Sequence, residues 1–159
     1  MTSPIWTPDA DMEGIGDALQ EAAGETPKGL DFDPKAEAVR TLVEREMCRR
    51  SLLPYILKVN PSYQPGWVHR FICKKLEKFA QDIVDKKSPR LMLFMPPRHG
   101  KSEIASRTFP AWYLGRNPSH EVIACSYASN LALKFSRKAR QLARDPMYKQ
   151  IFGVELDRD

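Results

Sequence analysis

Gly100, Lys101 and Ser102 are three consecutive residues whose chemistry suits a polyphosphate. A glycine lets the backbone turn and approach phosphate oxygens where a side chain would clash. Successive N–H groups then face the anion, and the start of a following helix adds positive partial charge. Lys101 would reach the β- and γ-phosphates as a mobile point charge. The Ser102 hydroxyl would sit on a Mg²⁺ ion that bridges those phosphates. On its own Gly-Lys-Ser is a weak signal, because so short a string arises readily in any exposed turn.

The flanking elements give it weight. Leu91 to Met95 is a run of five apolar residues bounded by Pro89 and Pro96, too short for a helix. Such a run predicts a strand buried on both faces. Pro96 and Pro97 end it, and Glu103, Ile104 and Ala105 open a helix. Strand, loop and helix in this order predict a phosphate-binding P-loop. Met95 stands where the general pattern G-x-x-x-x-G-K-[ST] has its first glycine.

Further elements repeat the alternation. Asp33 and Pro34 signal a helix start, and Val39, Leu42, Val43 and Met47 recur at helical spacing before Arg49-Arg50. Leu52 to Val59 is a second apolar piece, interrupted by Pro54. Trp67 to Val84 carries an apolar stripe at 68, 71, 72, 76, 79, 80 and 83. Trp67 and Trp112 are expected in the core. Gly115 to Pro118 closes the helix after the loop, and Val122 to Cys125 predicts a second short buried strand. The next helix sets Leu131, Phe135, Ala139 and Leu142 on one side. Lys134, Arg137, Arg140 and Arg144 share the opposite side, a candidate DNA-contacting face. Asp145-Pro146 ends that helix. The expected fold is therefore α/β, an incomplete P-loop NTPase with a RecA-like parallel sheet, preceded by a helical segment.

Composition narrows the class. The chain has 159 residues, and its net charge of +5 is unevenly spread. Residues 1–34 hold eight acids against Lys28 alone, a net −7, leaving +12 for the remainder. An acidic tail on a basic body suits a polyanionic partner. With four prolines, four glycines and few large apolar residues, 1–34 is expected to be disordered, apart from a weak helical segment from Met12 to Ala23. Residues 35–87 read as a helical lead-in and 88–159 as the first part of an ATPase domain. Cys48, Cys73 and Cys125 lie far apart with no C-x-x-C pair, which suits buried thiols in a reducing cytosol. No apolar run is long enough to span a bilayer, and no secretory signal opens the chain.

A P-loop NTPase also needs a run of about four apolar residues ending in two acids, to hold Mg²⁺ and polarise water. Val122 to Cys125 is followed instead by Ser126-Tyr127, Glu155-Leu156-Asp157 lacks the apolar run, and Ile83-Val84-Asp85 has a single acid ahead of the loop. The chain reads as the front of an ATPase, expected to turn over ATP negligibly by itself. A truncated product that binds nucleotide weakly or not at all is the alternative reading. A small-molecule kinase is disfavoured, because no acceptor-site signature is present.

Three stretches carry a family resemblance: MPPRHGKSE, FPAWYLGRNP, and VIACSYASNLALKFSRKARQLARDP with MYKQIFG closing it. Together with the upstream GWVHRFICKKLE they resemble the large terminase subunit of tailed bacteriophages, over roughly residues 50–156. That resemblance implies the motor ATPase that packages viral double-stranded DNA into procapsids in the cytoplasm of an infected bacterium. It also implies ATP and Mg²⁺ as cofactors, an oligomeric ring, and the small terminase subunit and portal as partners, with no membrane. By position, Pro97, Arg98, His99, Gly100, Lys101, Ser102 and Glu103 would form the nucleotide loop. Lys101 and Arg98 would be the catalytic pair, with Arg98 offset by one residue from the arginine of some relatives. Tyr63-Gln64 or His69 would contact adenine. The family's Mg²⁺ acids and its nuclease have no counterpart in this sequence.

Overall fold

Helices dominate the computed structural model, which describes residues 33–154. The acidic stretch expected to be disordered, with its weak helix from Met12 to Ala23, lies outside the described residues but for Asp33 and Pro34. Helix α1 spans Pro34–Arg50, α2 Leu52–Val59 and α3 Trp67–Val84. After the loop comes a π-helical turn, Glu103–Thr108, that runs into α4, Phe109–Arg116. Helices α5, Ser129–Ala143, and α6, Pro146–Phe152, close the described chain.

The expected parallel sheet is not there. Among the described residues neither Leu91 to Met95 nor Glu121 to Ser126 forms a ladder, with each other or with any third segment. A parallel strand satisfies its backbone only through neighbours alongside it, and these two runs have none. Their burial is one-sided at best. Leu93 and Met95 pack on the core, whereas Met92 and Phe94 are 81% and 88% exposed. Ile123 is 86% exposed, and Cys125 is exposed rather than buried.

The core is built where helices meet. Leu52, Tyr55 and Ile56 of α2 face Ile72, Cys73, Leu76 and Ala80 of α3, and Trp112 of α4 lies fully buried among them. Tyr148 and Ile151 of α6 seal one side, and Tyr148 donates its hydroxyl to the Ala111 carbonyl at 2.8 Å. Pro54 is tolerated as the third residue of α2, where an N–H would have no helical acceptor anyway. The α2 start is instead capped from afar. Glu77 Oε1 accepts from the Leu52 N–H at 2.6 Å and from the Ser51 hydroxyl at 2.8 Å.

Two apolar expectations point the wrong way. Val39, Leu42, Val43 and Met47 do share a face of α1, but that face is more than half exposed at each residue. The packed side is the opposite one, through Cys48, the Arg45 bond to Gln150 and the Arg49 bond to the Ile151 carbonyl. Trp67 is 79% exposed at the first turn of α3, whereas Trp112 is core as expected.

The π-helical turn has a local cause in Pro110. That residue brings no N–H to the ladder, and its ring would clash with the carbonyl four residues back. The hydrogen bonding slips by one residue: Phe109 N–H reaches the Ile104 carbonyl, and the Thr108 hydroxyl reaches that of Glu103 at 2.9 Å.

Candidate functional site: the 96–102 loop

The loop is short and each of its turns has an identifiable cause. Arg98 has φ 65° and Gly100 φ 76°, while His99 between them stays at negative φ. Alternation of this kind turns successive N–H groups toward one side, the geometry of an anion-binding nest. For Arg98 the left-handed conformation is strained by on the order of 1–3 kcal/mol, a feature that concentrates at functional sites. Gly100 is required for two reasons. Its φ is open to glycine at no cost, and a Cβ there would lie 3.1 Å from Tyr63 Oη and 3.3 Å from His69 Nε2.

Three carbonyls of the loop are tied down. His99 Nδ1–H donates back to the Pro97 carbonyl at 2.8 Å, His69 Nε2–H donates to the His99 carbonyl at 3.1 Å, and Ile104 N–H donates to the Gly100 carbonyl at 3.1 Å. The last bond starts the helix at Lys101, so the amides of Lys101, Ser102 and Glu103 have no helical acceptor. Ser102 is exposed and Lys101 half-buried, and among the described residues the Lys101 ammonium has no ion pair or hydrogen bond. The residues present suit a phosphate: free amides, an unpaired lysine and a hydroxyl within three positions.

The other expected site residues divide. Arg98 is exposed and unpaired among the described residues. Glu103 turns down the helix to Arg107 at 2.6 Å, so its carboxylate is engaged. His69 uses both ring nitrogens inside the protein, since Gly66 N–H donates to Nδ1 at 3.0 Å. Gln64 is exposed and makes no hydrogen bond to a described residue. Tyr63 packs edge-on against His69 with ring centroids 5.6 Å apart, and its hydroxyl is buried without a partner among the described residues. Sequence reasoning missed the bond from His69 to the loop. The one local signal was a histidine three residues after Gly66, where a side chain can reach back to cap the helix start.

Lys134, Arg137, Arg140 and Arg144 are exposed along α5, with no ion pair among the described residues. No acid interrupts that helix. A cleft of about 570 Å³ lies away from the loop. It lies between α4, α5 and residues 118–124, lined by such groups as Leu114, Val122, Phe135 and Ala139. Its walls are mostly apolar, so it offers none of the loop's anion-binding chemistry. Among the described residues no three His, Cys, Asp or Glu side chains cluster as a metal site would require, and no helix is long and apolar enough to cross a membrane.

Loop and helix start thus define an anion-receptive turn on a helical scaffold. Comparison with known families is more specific. Residues 92–153, which include this turn, match the family described as the N-terminal part of the T4-like virus type of terminase large subunit. The terminase resemblance carried by Met95 to Pro146 is borne out over that segment. Neither the curated proteins nor the solved structures yield a match.

Proposed function

We propose that the 96–102 loop binds the phosphates of ATP and that the chain serves the motor ATPase of a DNA-packaging terminase. The observation that carries this reading is the loop geometry: left-handed Arg98 and Gly100 directly ahead of a helix start bearing unpaired Lys101 and Ser102. The amides of Gly100 to Glu103 would take phosphate oxygens, and Lys101 would neutralise the charge nearest the transferred phosphoryl group. Ser102 would hold Mg²⁺, which supplies charge neutralisation at the β- and γ-oxygens when bound. Arg98, exposed and unpaired, is the group free to swing onto that charge. Gln64 is assigned to the adenine, because its amide is exposed and uncommitted, whereas His69 has both ring nitrogens engaged and the Tyr63 hydroxyl is buried.

The test is photolabelling with a reactive ATP analogue in the presence of Mg²⁺. Lysine-dependent labelling, lost in Lys101→Ala and kept in Lys134→Ala, is the expected result. Equal labelling of the parent and Lys101→Ala would remove the loop as the nucleotide site.

The basic face of α5 supports a second assignment within the same role, contact with the DNA backbone. Four exposed bases without an intervening acid are the footprint expected of phosphate contacts.

A further inference from the structure

We propose that His69 is a positioning residue that holds the His99–Gly100 peptide with its N–H turned toward the phosphate side of the loop. The proposal rests on the loop being the nucleotide site, but its central claim concerns the loop before any nucleotide arrives.

Hydrogen bonding sets the tautomer. A backbone amide only donates, so the Gly66 N–H at 3.0 Å requires an unprotonated Nδ1. A carbonyl only accepts, so the His99 oxygen at 3.1 Å requires a proton on Nε2. One neutral imidazole, with its proton on Nε2, satisfies both. Tyr63 packed against the ring keeps it in place.

Peptide planarity converts that bond into an orientation. All peptide units here are trans, so each carbonyl and the following N–H point in opposite directions. Drawing the His99 carbonyl toward His69 therefore turns the Gly100 N–H away from it. Two other units are held from within the loop and its helix: Pro97–Arg98 by the His99 ring, Gly100–Lys101 by the Ile104 amide. Of the three tied carbonyls, only that of His99 depends on a residue from another element, 30 positions back in sequence. Its peptide is also the unit most free to rotate, because Gly100 adopts φ of either sign. Without an external lock the peptide would flip and present a carbonyl to the anion.

The experiment uses the full chain, labelled with ¹⁵N-histidine and ¹⁵N-glycine and free of nucleotide, at neutral pH. Long-range ¹⁵N–¹H correlation of the His69 ring should show a protonated Nε2 and an unprotonated Nδ1. A protonated Nδ1, or averaging between tautomers, would overturn the proposal in the parent protein without any variant. His69→Gln keeps a donor near the Nε2 position and should keep the parent's Gly100 N–H residual dipolar coupling. His69→Leu removes the donor and should shift that coupling as the His99–Gly100 peptide turns, while the coupling of Gly153, far from the loop, stays. An unchanged Gly100 coupling in His69→Leu would also overturn it. Because these readings need no nucleotide, they remain decisive even if Lys101→Ala leaves labelling unchanged and the nucleotide assignment falls.

Discussion

The indole N–H of Trp112 donates to the Cys48 carbonyl at 2.9 Å, joining the last turn of α1 to α4 across 64 residues inside the core. That carbonyl belongs to the orphan set at a helix C-terminus, because the Leu52 amide that would have served it is taken by Glu77. Trp112→Phe would leave the carbonyl buried and unpaired and open a small void. Together these should cost about 2–4 kcal/mol. The measurement is the urea midpoint at constant slope, and a loss below about 1 kcal/mol would mean that water reaches the carbonyl.

Gly115 was expected to stop its helix, yet it sits one residue inside the end of α4, against the Phe152 ring. A Cβ at Gly115 would meet three ring carbons at 2.6–2.8 Å. The ring in turn packs on Tyr55 and Tyr148, with centroids 5.4 and 4.7 Å away, and has little room to yield. Gly115→Ala gains up to ~1 kcal/mol of helix propensity and loses ~1–3 to overpacking. Net destabilisation is the expected result, relieved when Phe152→Leu is added. A stabilised single variant would show that the ring moves aside.

Stability should fall on the alkaline side. Burial pushes the Cys73 thiol up from 9.0 to about 12 and the Tyr148 phenol up from 10.0 to about 12, and burial raises Tyr55 as well. A raised folded pKa means that the unfolded chain releases its proton first. Their contribution is complete below pH 9 and is lost as pH climbs from about 9 to 12. At the acid end the Lys87 ammonium holds Asp82 and Asp85 below the usual carboxylate range, and Lys58 does so for Glu44. That support is present above the ordinary carboxylate pKa and fades as pH drops through the lowered values; being exposed, these pairs contribute little. Urea midpoints at pH 7, 9 and 10.5 should decline across the series, and Cys73→Ala should flatten the early part. Flat midpoints would contradict burial of these groups.

Replacing Arg137 and Arg140 with Gln should weaken DNA binding equally for unrelated sequences. The slope of log affinity against log salt should shrink by up to about one unit per lost phosphate contact. An unchanged slope would leave the α5 face as solvated charge.

The helices were largely legible because their causes are local. Pro34 opens α1 and the stripe from Val68 to Ile83 marks out α3, since a 3.6-residue period and a proline at a first turn act within a few positions. Gly-Lys-Ser was legible for the same reason, being a turn and a helix start. Periodicity says which residues share a face but not whether anything covers it, so the α1 stripe from Val39 to Met47 was found while its exposure was not. Likewise five apolar residues at 91–95 carry no information on whether other strands lie beside them. A ladder is a non-local structure, and the described chain supplies no neighbour. Helix α6 went unread after Asp145-Pro146, although Asp145 caps it through the Met147 amide at 2.8 Å. Tertiary structure alone decided the loop's outer support, because the bond from His69 to the His99 carbonyl exists only once α3 is packed beside a turn 30 residues away.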